Sequence, residues 1–517
     1  MGIATYGRED GWSFIDDVLS SPGRGNGRWI NNKISYDAFE AGDYIARSNT
    51  GWNGVGVTGQ PAEVTYSFPT WEGMYYNGAG NTGLTGFNDY QKDQARLSLQ
   101  SWADVANITF KEVDAGRGEI YTNITFGYIN DKYTQAYAWL PHTKNYFGDP
   151  YTDSRGFDVS GQSWYSSEPG ALNVTPVTGN YGRLTFTHEI GHTLGLNHPG
   201  NYNAGEGRPS YKDADYAEDT RQYSVMSYWS EKITGADHKG YYASAPLLDD
   251  ITAIQKLYGA NYNIRTDDTV YGFDSNTGRD YYSAQNATDK LIFTVWDGGG
   301  NDTLNFSRYK QDQKISLREG DFSDVGGLTG NVSIAHGVVI ENAFGGRGND
   351  VIIGNDADNI LKGNAGDDVL YGGAGQDQLW GGTGSDIFVF SAVTDSLYDR
   401  PDHIRDFATG LDSIDLQGLN QNSAGEKFIY FTDEFTGAAG AASAVFRNSL
   451  CKYPGHYCFR CCYLGRARQS AKKFPLQKRF RGPGSLRRTG RRCRSDSRRF
   501  PTAQQTGFSC ISRHSRR

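Results

Sequence analysis

The chain has 517 residues, with 51 Lys and Arg against 59 Asp and Glu for a formal charge of −8. That length accommodates two or three domains, and the absence of any run of about 18 apolar residues excludes a transmembrane helix. The charge is held unevenly. Residues 451–517 carry 19 of the Lys and Arg, a single acid (Asp496) and all six cysteines (Cys451, Cys458, Cys461, Cys462, Cys493 and Cys510), leaving an acidic, cysteine-free body that is no partner for nucleic acid.

Residues 1–16 read as a short leader without the basic-then-apolar pattern of a standard secretory signal peptide, and Phe14–Leu19 is a short helical candidate. Val64–Phe68 alternates as a strand does. Gln91–Ala106 sets Ala95, Leu99, Trp102 and Ala106 on one helical face. Ile108–Phe110 and Ile124–Tyr128 read as further strands of the same sheet. Thr134–Pro141 (TQAYAWLP) is an apolar stretch ended by proline, as edge strands often are.

The eleven residues His188–His198 (HEIGHTLGLNH) carry the chemistry. His188 and His192 are four apart, so on a helix from about Arg183 to Gly195 both imidazoles share a face and can share a metal ion. Glu189 falls beside them, placed to handle the proton of a water at that metal. Gly195 lets the chain leave the helix through a left-handed turn, which returns His198 as a third nitrogen ligand. Three protein ligands with a fourth position open describe a catalytic zinc site and not a closed structural one. Beyond it, Leu247–Tyr258 has Leu248, Ile251, Ile254 and Leu257 at helical spacing and closes the first domain near residue 260.

From Gly345 the chain repeats every nine residues, with units starting at Gly345, Gly354, Gly363, Gly372 and Gly381. Each unit predicts a glycine-aspartate turn and then a short strand with an apolar residue turned inward, the pattern of a parallel β-roll. The acids Asp350, Asp368, Asp377 and Asp386 face one another across successive turns, beside the backbone of Gly346, Gly348, Gly363, Ala365, Gly372, Ala374, Gly381 and Thr383. Stacked carboxylates repel unless a cation lies between them, and hard oxygen ligands favour calcium. Asn359 replaces the acid of the second unit, so its site is expected to be weaker. An outlying copy, Asp297–Asp302 (DGGGND), precedes the block.

The zinc-type stretch, the turn Ser224-Val225-Met226-Ser227-Tyr228 and the repeats together resemble the serralysins, secreted zinc metalloproteases of the metzincin clan, over about residues 15–440. The resemblance implies a leader of propeptide kind (1–16), an α+β metzincin protease domain (17–260) and an all-β parallel β-roll of calcium-binding repeats (261–440). It implies one catalytic zinc, several structural calcium ions, and protein substrates hydrolysed with Glu189 as general base. Met226 would form an apolar floor under the zinc. Tyr228 would be a further zinc ligand at rest, able to swing away and donate to the oxyanion. Ala136, Tyr137, Ala138 and Trp139 would be the strand that pairs with extended substrate. Asp297, Asp302 and Glu341 would bind calcium between the domains, and Asp406 and Asp412 the last ion. The protein would be an extracellular monomer, exported by type I machinery that reads a C-terminal signal, and open to a proteinaceous inhibitor. The competing reading is a calcium-dependent adhesin or scaffold with a vestigial zinc site.

After about Gly437 the resemblance stops. Residues 441–517 read as an atypical Cys- and Arg-rich tail, disordered or out of frame. They lack helical periodicity, and their composition is unlike anything upstream, which speaks against a nucleic-acid- or membrane-binding extension. They are not expected to carry the export signal.

Overall fold

A computed structural model describes residues 11–422, apart from 115–121, 143–148, 151, 155, 169–171, 205–206 and 398, together with strands at 430–431, 441–445 and 457–461. Among the described residues before 261 there are five α-helices and one five-stranded sheet. They are α1 (Gly11–Leu19), α2 (Ala38–Ile45), α3 (Asp89–Val105), α4 (Tyr181–Thr193) and α5 (Leu248–Tyr258). The sheet uses β1 (Ala62–Ser67), β2 (Ile108–Glu112), β3 (Ile124–Ile129), β4 (Ala136–Ala138) and β5 (Gln162–Ser166). Strand order is β2-β1-β3-β5-β4. The first four run parallel, and β4 pairs antiparallel with β5 at the edge, in the place expected for it.

Local chemistry sets the helix starts. Asn88 caps α3 by accepting the Gln91 N–H, and the Gln91 side chain reaches back to the Asn88 N–H. Asn180 caps α4 by accepting the Arg183 N–H at 2.9 Å. Helix α4 is buried along nearly its whole length, packed between α3 and the sheet. Its last carbonyls are taken by side chains from elsewhere: Trp52 donates its indole N–H to Thr193, and Tyr258 its hydroxyl to Leu194, both at 2.8 Å. Gly195 then turns the chain at φ +106°, and a Cβ there would lie 2.0 Å from the Thr50 carbonyl oxygen. No other residue type fits that corner.

Helix α1 spans residue 16, the expected end of the leader. It runs unbroken across it, and Trp12 and Ile15 pack with Ile353, Val369, Tyr371 and Val389 of the second domain. The Trp12 N–H donates to the Asp415 carboxylate at 2.9 Å. Two buried apolar side chains one turn apart are reason enough for this segment to dock.

In the second domain the nine-residue period becomes one strand per unit, alternating between two parallel sheets. Val351, Val369 and Ile387 are aligned neighbours in one sheet, and Asn342, Ile360 and Gln378 in the other. One coil therefore takes two units. The eighth residue of each unit (Ile352, Leu361, Leu370, Leu379 and Phe388) points between the sheets and is fully buried. The two domains meet at Asp104 of α3, a buried carboxylate held by Arg265 at 2.9 Å, Arg279 at 2.7 Å and the Tyr281 hydroxyl at 3.1 Å.

The strand expected at Lys427–Phe431 is present as Tyr430–Phe431, paired parallel with Ala441–Val445; residues 427–429 lie outside the described residues. Two stretches of the tail form strands. Ala441–Val445 and Tyr457–Cys461 are antiparallel neighbours, and Tyr457 and Cys458 pair with Ile404 and His403. The aromatic-rich YCFRC segment has strand propensity, and the edge strand His403–Ile404 offers it a partner. The rest of the tail lies outside the described residues.

A candidate metal centre and its surroundings

Helix α4 places His188 and His192 on one face, and the Gly195 turn brings His198 opposite them. The three Nε2 atoms are 3.1 Å (His188–His192), 3.1 Å (His192–His198) and 3.3 Å (His188–His198) apart. Each ring has its other nitrogen against a backbone carbonyl: His188 Nδ1 on Val225 at 2.8 Å, His192 Nδ1 on Leu196 at 2.7 Å and His198 Nδ1 on Tyr202 at 2.8 Å. A carbonyl only accepts, so each Nδ1 must carry the proton, and each Nε2 presents a lone pair. Burial reinforces this, holding His188 down to about 4, His192 to about 3 and His198 well below the ordinary histidine value. Three neutral imidazoles aiming lone pairs at one point repel unless a cation sits there. Nitrogen donors in this arrangement fit tetrahedral zinc with one position left over. Among the described residues this is the one cluster of at least three His, Cys, Asp or Glu able to converge on a metal.

Glu189 lies next to the triad and is buried. Its Oε2 has no hydrogen-bond partner, and burial pushes the carboxyl up to about 8. An orphaned carboxylate oxygen beside three converging lone pairs is a costly arrangement unless a cation and a water complete it.

Known proteins are similar to this chain over most of its length. A family model described as Peptidase M10 serralysin C terminal matches residues 260–452, and one described as metallo-peptidase family M12B reprolysin-like matches residues 153–245. Serralysin of Proteus mirabilis is 54% identical over 465 residues, covering 87% of this chain and 93% of its own length. Serralysin C of Dickeya chrysanthemi is 52% identical over 433 residues, covering 83% and 86%. Metalloprotease AprA of Pseudomonas entomophila is 50% identical over 445 residues, covering 85% and 89%. The chain belongs to the serralysin family. It is a zinc metalloendopeptidase, and the family match extends to residue 452, past the point near Gly437 where the sequence motifs give out.

Around the triad, Met226 is buried against α4. A Cβ on Gly191 would lie 2.6 Å from the Met226 sulfur and 3.1 Å from the Trp102 ring. Gly191, inside the histidine motif, therefore matters for packing, a role its spacing does not announce. We expect Gly191→Ala to lower stability by about 1–3 kcal/mol through overpacking, read as a fall in calorimetric Tm.

The Tyr228 ring lies 4.5 Å from that of His198 and 6.1 Å from that of His188, centroid to centroid. Burial and the nearby Glu189 push its hydroxyl well above the ordinary tyrosine value. The turn that carries it is fixed by a carboxylate the motif gave no hint of. Asp250 of α5, fully buried, accepts the Ser224 hydroxyl at 2.6 Å, the Val225 N–H at 2.7 Å and the Leu247 N–H at 2.9 Å. Val225 is the residue whose carbonyl orients His188.

Strands β4 and β5 pack against α4. The Tyr137 hydroxyl donates to Asn81 Oδ1 at 3.0 Å and accepts from the Asn77 amide, which anchors the strand to the 77–81 loop. Trp139 continues the pairing, with its N–H on the Gln162 carbonyl at 3.0 Å.

The acids of the repeats form two ladders. On one, the backbone N–H of Gln313, Asp350, Asp368 and Asp386 donates to Oδ1 of Asp350, Asp368, Asp386 and Asp412 in turn, at 2.7–3.1 Å. On the other, the N–H of Asn359 donates to Asp377 at 2.8 Å and that of Asp377 to Asp402 at 2.9 Å. The second oxygens of Asp368, Asp377, Asp386 and Asp402 are buried without a partner. The first glycine of the units beginning at Gly363, Gly372 and Gly381 makes room for them, since a Cβ would lie 2.1–2.2 Å from Oδ2 of Asp368, Asp377 or Asp386. Asp402 was missed because it follows Asp377 by 25 residues and not by 18. Asn359 is self-sufficient: its amide nitrogen donates to the Glu341 carbonyl at 2.9 Å, and its Oδ1 accepts the Asn355 N–H at 2.9 Å. Asp406 is turned to the Gly381 and Gly382 N–H groups at 3.0 Å each.

Asp297, Asp302 and Glu341 are neighbours within electrostatic reach of one another. The Tyr271 hydroxyl donates to Asp297 at 2.6 Å, and the Asp302 N–H to Glu341 at 2.7 Å. Asp302 Oδ2 is left without a partner, and burial beside Asp297 and Glu341 pushes this carboxyl up to about 7.

Proposed function

We propose that this chain is an extracellular endopeptidase in which His188, His192 and His198 hold one zinc ion, with Tyr228 as a further ligand at rest, and calcium completes the carboxylate ladders of the second domain. The observation that carries the reading is the convergence of three Nε2 lone pairs beside the unpartnered oxygen of Glu189. When bound, zinc supplies the Lewis acidity that polarises a scissile carbonyl and makes water a competent nucleophile near neutral pH.

The chain's residues do the rest. An extended peptide adds to the open edge of β4, along Ala136, Tyr137, Ala138 and Trp139, through backbone hydrogen bonds that tolerate many side chains. Glu189 takes a proton from the attacking water and returns it to the leaving amine. The Tyr228 hydroxyl turns to donate to the oxyanion that develops on the carbonyl. Met226 keeps the underside of the site apolar.

Calcium follows from the orphaned oxygens at Asp302, Asp368, Asp377, Asp386 and Asp402. Each is a hard anionic donor, and the backbone turns between them supply carbonyls. The polypeptide partners of the enzyme are its substrates. Export from the cell and the extracellular setting are inferred from the family, and among the described residues no helix is long and apolar enough to cross a membrane.

Zinc removal tests the reading. Protein stripped with a zinc-selective chelator should lose casein digestion and regain it with about one equivalent of zinc, and a peptide hydroxamate should inhibit. Digestion that continues after verified zinc loss would overturn it, and an absence of any proteolysis in the loaded protein would favour the adhesin reading.

A further inference from the structure

Asp219 is fully buried and accepts three side-chain donors from two segments that flank the triad. Its Oδ1 takes the Tyr202 hydroxyl at 2.9 Å and the Ser227 hydroxyl at 2.6 Å, and its Oδ2 takes the Trp229 indole N–H at 3.1 Å. Tyr202 in turn holds His198 twice. Its carbonyl accepts the Nδ1 proton at 2.8 Å, and its ring stacks on the imidazole with centroids 5.3 Å apart and planes 10° from parallel. Ser227 immediately precedes Tyr228, whose own ring lies 5.1 Å from that of Tyr202.

We propose that Asp219 is a positioning residue: one buried carboxylate sets His198, through Tyr202, and the Tyr228-bearing turn, through Ser227 and Trp229, in fixed register with each other. The inference rests on the zinc-peptidase reading above. It has a structural logic of its own. His188 and His192 belong to one helix, whose hydrogen bonds fix their separation. His198 stands on a loop beyond the Gly195 turn, and without an external anchor its distance from the other two would be soft. A carboxylate with two oxygens can satisfy three donors from two loops at once, where a neutral acceptor cannot. Fixing the Tyr202 carbonyl also fixes the tautomer and plane of His198.

Asparagine at 219 would turn an amide N–H₂ toward a donor. With Oδ1 kept for the two hydroxyls, the amide faces the Trp229 indole N–H; flipped, it faces both hydroxyls.

The test is zinc affinity of the full-length protein by competition with a chromogenic chelator, read without any activity assay. Tyr202→Phe removes only the hydroxyl and keeps the carbonyl and the ring stack. It should weaken zinc binding by roughly 10-fold, within the range of outer-shell partners of metal ligands. Asp219→Asn should weaken it at least as much, and Asp219→Asn combined with Tyr202→Phe should lose little more than Asp219→Asn alone. In zinc-saturated enzyme, Ser227→Ala should lower kcat several-fold with KM unchanged, since it frees the Tyr228 turn and leaves the substrate strand alone. If Tyr202→Phe binds zinc as the wild type does, the positioning role is overturned, whatever its effect on Tm and even if Asp219→Asn fails to fold. If the wild type itself does not bind zinc, the metal reading fails and takes this inference with it.

Discussion

Glu189→Gln should leave a folded protein that binds one zinc and peptide substrate but hydrolyses it about 10²–10⁴-fold more slowly. The substitution is isosteric and removes only the ability to accept a proton. Two features make the loss specific to catalysis. The Glu189 Oε2 has no protein donor, so no hydrogen bond inside the fold is broken. The glutamate is also not among the converging nitrogens, so the metal keeps its ligands. The measurement is steady-state hydrolysis of a quenched peptide beside zinc content by elemental analysis. Wild-type turnover in a zinc-loaded variant would remove Glu189 from the proton path. Loss of zinc along with activity would instead make Glu189 a structural support of the triad.

Much of this site could be read from the chain because it is local. Eleven consecutive residues fix two ligands by helical spacing and a third by one glycine turn, and the structure brings all three within 3.3 Å. The repeats were equally legible, since a period of nine forces the same turn and strand each time. What supports these features comes from far along the chain. Asp250 reaches Val225 from α5, and Asp219 reaches Tyr202 from a loop, in each case across a separation that no spacing in the chain records, so a buried aspartate there looks like any surface one in the sequence. Asp402 is hidden for a related reason. It completes a ladder whose earlier rungs are 18 residues apart, but the chain makes an excursion through Asp395 first, and only strand pairing at His403 restores the register. Helix α1 begins at Gly11, about one turn before the Phe14 start legible in the sequence, because its partners, Ile353, Val369 and Val389, lie more than 300 residues on. The strand at Tyr457–Cys461 was overlooked because composition was weighed above the alternation of a five-residue segment.

Removing calcium should melt the second domain, and the pH dependence of that melting should reverse with calcium present. Without a cation, burial pushes Asp350 up to about 7, Asp368 and Asp377 to about 8 and Asp402 to about 9. These folded values lie above the unfolded value of about 4. A carboxyl raised in this way favours the folded state fully below the unfolded value, and the contribution is lost as pH rises through the folded value. The calcium-free domain should therefore be most stable at about pH 4 and weaken progressively between about pH 4 and 9. At about 1.4 kcal/mol per pKa unit, several such carboxyls together offset an amount comparable with the about 5–15 kcal/mol that holds a domain folded. With calcium bound the carboxylates are stabilised as anions, their folded values fall below the unfolded one, and stability is lost on acidification instead. Circular dichroism melts of the full chain from pH 5 to 9, with calcium and with a calcium-selective chelator while zinc content is monitored, read both slopes. The chelated protein should lose its β-sheet signal at pH 8 and retain more of it at pH 5. Identical melts at pH 8 with and without the chelator would show that the orphaned oxygens are satisfied by something other than calcium. Because Asp415 of the roll takes the Trp12 N–H and α1 packs against the same strands, the melt should also release the N-terminal helix, seen as exposure of Trp12 fluorescence to quencher.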